Sequence, residues 1–127
     1  MSHSTVHLDV IENRPANVGR QFFDRVQSSP NREAYRFPKG DQWESVTWKE
    51  AGDKVTRLAA GLVALGVEHE QRVGIASSTR YEWILADLAI MCAGAATTTV
   101  YPSTIDEDVA YKVLRGNAID MLSLDRV

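Results

Sequence analysis

Two hydroxyl-rich stretches, Ser77-Ser78-Thr79 and Thr99-Val100-Tyr101-Pro102, carry the side chains best placed to meet a ligand. Hydroxyls and free amides just ahead of a helix can hold an anion such as a phosphate. The same residue types are equally good as ordinary helix caps, and the sequence leaves both readings open. Asp106-Glu107-Asp108 has the look of a carboxylate cluster. It also falls in the first turn of an expected helix, where acidic side chains favour the positive end of the dipole, and that role accounts for it.

Other residues with chemical potential are excluded by what surrounds them. Gly61 and Gly66 have the spacing of a phosphate-binding loop, but Val67-Glu68 stands where Lys-Ser/Thr is required. Neither a Gly-x-Gly-x-x-Gly fingerprint nor a Gly-x-Ser-x-Gly elbow occurs. His3, His7 and His69 have no metal-ligand spacing with one another or with Cys92. Cys92 lies in an apolar run with no basic neighbour to lower its pKa, and it reads as a small buried hydrophobe. Three tryptophans and four tyrosines are scattered without a repeating pattern, so no base-stacking platform emerges. No catalytic, cofactor-binding or metal-binding residue is assigned in this chain.

The elements that would position the two loops follow from periodicity. Residues 1–16 show none, and Arg14-Pro15 opposes a helix running through them, so they read as a flexible or draped arm. Asn17 can cap a helix whose apolar residues Val18, Phe22 and Val26 recur every four positions, ending at Ser28-Ser29-Pro30. Ala34-Tyr35-Arg36-Phe37 and Trp43-Glu44-Ser45-Val46 flank the turn-rich Pro38-Lys39-Gly40-Asp41, a hairpin pattern. Pro38 suits the end or edge of a strand because it donates no ladder hydrogen bond.

Thr47-Trp48-Lys49-Glu50 is a capping box opening a long helix. Trp48, Ala51, Val55, Leu58, Ala59, Leu62 and Leu65 trace one apolar face, and Gly66 with Val67 ends it. The pattern then alternates. Val73 to Ala76 reads as a strand, Arg80 to Ala93 as a helix stopped by Gly94, and Ala95 to Val100 as a second strand. Thr104-Ile105-Asp106-Glu107 opens a helix to about Arg115, and Met121-Leu122-Ser123-Leu124 closes as a third strand. Strands alternating with helices imply βαβαβ units and a parallel sheet, hence an α/β class, preceded by a helix, a hairpin and a long amphipathic helix.

Composition narrows the function classes. The 127 residues amount to slightly less than one domain at about 150 residues per domain. With 44% hydrophobic residues, the chain is too apolar for wholesale disorder. A net charge of −3 offers no basic surplus for a phosphate backbone, so no nucleic-acid partner is expected. The most apolar stretch, Trp83 to Ala96, contains Asp87 and Gly94 and is shorter than the roughly 18 to 20 residues that span a bilayer. The first residues, Met1-Ser2-His3-Ser4, lack a signal-peptide pattern, and a single cysteine suits a reducing compartment. The expectation is a cytoplasmic protein without a transmembrane segment.

A family resemblance rests on several of these stretches together. Val46-Thr47-Trp48-Lys49-Glu50, the run from Leu58 through Gly61 and Gly66 to Val67, and Arg72-Val73-Gly74-Ile75 resemble the first core motif of AMP-forming acyl-adenylating enzymes. Arg80-Tyr81-Glu82-Trp83, with Asp87-Leu88-Ala89-Ile90 and Ala93-Gly94-Ala95, resembles the second. Tyr101-Pro102-Ser103-Thr104 followed by Ala110-Tyr111 is most similar to the long-chain fatty acid–CoA ligase branch. The resemblance runs from about Ala16 to Tyr111 and is looser beyond. There Lys112-Val113-Leu114-Arg115-Gly116-Asn117 has Arg115 where the family has an acid.

The resemblance implies residues 17–127 as a partial adenylate-forming N-terminal subdomain. Complete family enzymes use ATP, Mg²⁺ and coenzyme A to convert a carboxylic acid through an acyl-adenylate to an acyl-CoA. They carry a Ser/Thr/Gly-rich phosphate loop ending in Pro-Lys, an acidic ribose-binding residue and a lysine on a mobile C-terminal domain. None has a counterpart in these 127 residues; Thr97-Thr98-Thr99 is hydroxyl-rich but lacks interleaved glycines. The leading expectation is therefore an N-terminal ligase piece, inactive alone, from a truncated gene, a split gene or a deliberately shortened protein. Its partner would be the missing remainder, or further copies of itself. The alternative is a non-catalytic module that complements or regulates a ligase. An unrelated flavodoxin-like binding domain is a third reading, opposed by the lack of a glycine-rich or acidic cluster at the strand ends.

Overall fold

A computed structural model describes residues 8–100 of the chain. Its elements in order are α1 (Leu8–Glu12), α2 (Val18–Ser28), β1 (Glu33–Lys39), β2 (Gln42–Thr47), α3 (Trp48–Ala64), β3 (Arg72–Ala76), α4 (Tyr81–Cys92) and β4 (Ala96–Val100). β1 and β2 form an antiparallel hairpin, and β3 and β4 form a separate parallel pair. The expected helix from Thr104, the strand at Met121–Leu124, and Tyr101 and Pro102 lie outside the described residues. Only the first β-α-β unit of the expected alternation is therefore covered, as β3-α4-β4.

The one helix that periodicity misses is α1. Its turn closes locally, with the Asn13 amide and side chain both donating to the Asp9 carbonyl, at 3.0 and 2.8 Å. Val10 and Ile11 stay exposed, so there is no buried stripe to leave a pattern in the sequence. α1 stops before Arg14-Pro15, as proline's restriction on its predecessor requires. α2 starts where expected: the Asn17 side chain accepts the Arg20 amide at 2.8 Å, and Phe22 is buried. Val18, on the same sequence stripe, is half exposed.

The hairpin pairs Pro38 with Trp43 and Lys39 with Gln42, leaving Gly40 and Asp41 as the turn. Gly40 has φ +61°, a left-handed conformation that glycine adopts without a Cβ penalty. β2 runs directly into α3 through the capping box. The Glu50 amide donates to the Thr47 hydroxyl at 3.3 Å, and the Thr47 amide donates back to the Glu50 carboxylate at 2.8 Å. At the far end the Val67 amide bonds the Leu62 carbonyl and the Gly66 amide bonds the Val63 carbonyl, a Schellman motif around Gly66 at φ +94°. Gly94, at φ +81°, closes α4 in the same way through Ala95 and Ile90.

Only half of the predicted α3 stripe is core. Ala51, Gly52 and Val55 are buried, packed among α2, α4 and the hairpin. Ala59 and Leu62 are half-buried, while Leu58 and Leu65 are 45% and 85% exposed. The apolar face is thus buried only in part: the covering elements among the described residues reach only the first half of the helix. At the centre of that half α2 and α3 come close. A Cβ built on Gly52 would lie 2.9 and 3.1 Å from the two Val26 methyls.

Parallel pairing of β3 with β4 aligns Arg72 with Ala96, Gly74 with Thr98 and Ala76 with Val100 on one face, which is largely exposed. Ile75 points the other way and is buried against α4, whose own buried residues are Tyr81, Leu85, Ala89 and Ile90. The loop ahead of β3 is clamped to the end of α4. Glu70 holds φ +64°, and its amide donates to the Gly94 carbonyl at 2.7 Å.

These contacts set opposite outcomes for two glycines of the same helix. Gly52→Ala gains about 1 kcal/mol of helix propensity, yet it drives a methyl into the β-branched Val26, where overpacking costs about 1 to 3 kcal/mol. The urea midpoint should fall. Gly61 has nothing within 4 Å of a built Cβ among the described residues, so Gly61→Ala should be stabilising, by up to about 1 kcal/mol, and raise the midpoint. Equal shifts for the two would refute the close α2–α3 contact. Thr47→Ala should cost about 1 kcal/mol through the lost cap, and Leu62→Ala less than the roughly 2 to 5 kcal/mol of a fully buried leucine. The Thr47 amide, then its hydroxyl, hold the Glu50 carboxyl below its ordinary pKa. That contribution is present above the normal carboxylate range and lost as pH falls through the lowered value. Acid denaturation of Glu50→Gln should accordingly lose part of its pH dependence.

Candidate functional site

The carboxyl ends of β3 and β4 lie side by side, since Ala76 pairs with Val100. In open parallel sheets this is where ligands gather. Ser77, Ser78 and Thr79 follow β3 directly, with Ser78 and Thr79 exposed. They do not cap α4. Arg80 is the N-cap residue, extended at φ −151°, and no side chain accepts from the helix amides there. Ser77 instead donates its hydroxyl to the Ser78 carbonyl at 3.1 Å. Of the two readings that the sequence left open for this loop, the cap is the one corrected: the N-cap position falls on Arg80, after the last of the hydroxyls.

The first turn of α4 is occupied by charges of its own. Arg80 meets Glu82 at 2.6 Å. That contact, and after it the backbone amide of Glu82 itself, hold the Glu82 carboxyl below its ordinary range. A carboxylate is thus already seated at the positive end of the helix, where an anionic ligand would have to compete with it. In the second loop, Thr99 is exposed.

Beside this turn opens a cavity of about 580 Å³ between the hairpin, α3 and α4. Its floor is the Phe37–Tyr81 pair, stacked at 4.4 Å between centroids and 10° between planes. The Lys54 ammonium sits 5.3 Å from the Tyr81 ring centroid. Lys39 and Glu44 form an ion pair of 2.6 Å on one lip, and Arg80 and Glu82 form the other. Tyr81 is 9% exposed, and its hydroxyl is buried without a hydrogen-bond partner among the described residues. Burial pushes the phenol above its normal pKa, with smaller contributions from Tyr35 and the carboxylates of Glu50, Glu82 and Glu44. These groups can hold charge and aromatic surface in place. They place no nucleophile beside a base.

The remaining sequence candidates are dispersed. Cys92 is half-buried beside Gly19, and burial raises its thiol pKa, which keeps it a poor nucleophile. His69 packs its ring at Gly94, with Cδ2 3.0 Å from a built Cβ. Gly61 lies within α3 and Gly66 terminates it, so the two form no phosphate loop. Among the described residues no three His, Cys, Asp or Glu side chains gather as a metal site. His3, His7 and Asp106 to Asp108 lie outside them. A triphosphate with Mg²⁺ does not fit what is here: the hydroxyl loop brings no lysine and no glycine cradle, and α4 is closed by Glu82.

Sequence reading missed the aromatic group. Phe22, Trp48, Tyr35, Tyr81 and Phe37 form a continuous chain with centroid separations from 4.4 to 6.1 Å, linking α2, α3, the hairpin and α4. The available signal was Tyr35 and Phe37 at i, i+2, which puts both on one face of a strand. Their partners Trp48 and Tyr81 are remote in sequence and carried no cue.

Comparison with known proteins gives a consistent picture. The family described as AMP-binding enzyme matches residues 22–117. A long-chain-fatty-acid–CoA ligase of Mycobacterium bovis, FadD15, is 34% identical over 103 residues, which is 81% of this chain and 17% of that protein. The crystal structure of a fatty acid AMP ligase from Legionella pneumophila matches with a TM-score of 0.63 and 25% identity, over 76% of this chain and 17% of that one. The NpsA N-terminal subdomain of Klebsiella oxytoca matches with a TM-score of 0.64 and 27% identity, over 76% and 24%. The small sheets and helices seen here match the N-terminal subdomains of adenylate-forming enzymes. This chain spans only about a sixth of the curated ligase it matches.

Tyr81 offers a direct test of the site geometry. Because its hydroxyl is buried and unpartnered, Tyr81→Phe should be neutral or stabilising by up to about 1 kcal/mol in urea denaturation. Tyr81→Ala removes the stack on Phe37 and should cost about 3 kcal/mol or more. A clear loss of stability in Tyr81→Phe would refute the unpartnered hydroxyl.

Proposed function

The chain belongs to the AMP-binding enzyme family, and we propose that it is the N-terminal portion of a long-chain fatty acid–CoA ligase. The complete enzyme would convert ATP, a fatty acid and coenzyme A to acyl-CoA, AMP and diphosphate. The observation that carries this reading is the match over 103 residues to a mycobacterial long-chain-fatty-acid–CoA ligase. The role of residues 17–127 is that of scaffold. α3, set by its capping box, packs on α4, and α4 holds the β3–β4 pair and its loops in place. Recognition and activation of the acyl group belong to residues this chain does not contain.

The reading has a chemical consequence. ATP, Mg²⁺ and coenzyme A are implied for the whole enzyme, yet the described residues bring together no set that fits them. Phosphoryl and adenylyl chemistry depends on charges arranged around the phosphates. No helix among the described residues is long and apolar enough to cross a membrane.

A second reading, a non-catalytic module that complements or regulates a ligase, draws on the exposure of Leu58 and Leu65 on one side of the second half of α3. Apolar side chains clustered in this way mark surfaces that associate. Both readings are separable in solution.

The purified chain should show no fatty-acid-dependent ATP–pyrophosphate exchange, and robust exchange from clean protein would overturn the scaffold reading. Expressed alone, the chain should elute from a sizing column as associated species and melt broadly. Co-expressed with the remainder of a related ligase, it should co-purify and melt more sharply. Exchange activity in that complex supports the ligase portion, whereas co-purification with an intact ligase and altered turnover supports the regulatory module. A clean monomer melting cooperatively above about 60 °C, beyond most mesophile domains, would count against both.

A further inference from the structure

We draw no further inference here: the strongest candidate, the apolar groove between the second half of α3, β3 and α4, is an unpartnered face and nothing in the structure shows what covers it.

Discussion

The first half of α3 is the contact on which the other described elements depend, because α2, the hairpin and α4 all pack against it. Ala51 and Val55 are fully buried there, and Gly52 lets Val26 of α2 come up against the α3 backbone. Dense packing of this kind leaves no slack: each added or removed methyl is felt by several neighbours at once. The capping box matters for the same reason. It sets the direction in which α3 leaves β2, and with it which residues meet α2 and α4.

The aromatic chain from Phe22 to Phe37 joins the hairpin to that helical layer. Stacked and tilted rings supply large buried area with defined geometry, which suits a short hairpin that could not hold its own shape in water. The Arg25 guanidinium over Trp48 and the Lys54 ammonium over Tyr81 extend the arrangement to the surface. The charges at the strand ends are committed to one another, Arg80 to Glu82 and Lys39 to Glu44. Among the described residues these charges are paired and no nucleophile stands beside a base, which supports the scaffold role proposed for them. Family membership names the scaffold, and only residues in a site can name the reaction.

Local signals in the sequence proved reliable where the physics is local. Asn17, Thr47 with Glu50, Gly66 and Gly94 each act within one helical turn, so their hydrogen bonds depend on neighbours in the chain. The hairpin was legible for a similar reason: Gly40 and Asp41 make the turn and the strands alternate around it. The cap on α4 stayed open in the sequence because a hydroxyl near a helix start is a common cap, while the residue at which the helix begins, with Arg80 in the N-cap position, is not written in residue types. The candidate site was legible only as a place, the ends of two parallel strands, and not as a set of contacts.

The sequence by itself determined the order of elements from α2 to β4, their start and stop signals, the α/β class and the family motifs. All of these rest on interactions between residues a few positions apart. Only the tertiary structure decided that Leu58 and Leu65 lie open while Ala51 and Val55 are sealed, although the four share one helical stripe. It alone placed Tyr81 on Phe37, across more than forty residues of chain, and left the Tyr81 hydroxyl without a partner among the described residues. Periodicity records which side of a helix is apolar, but burial depends on which other elements reach that side, and that is settled by packing between distant segments.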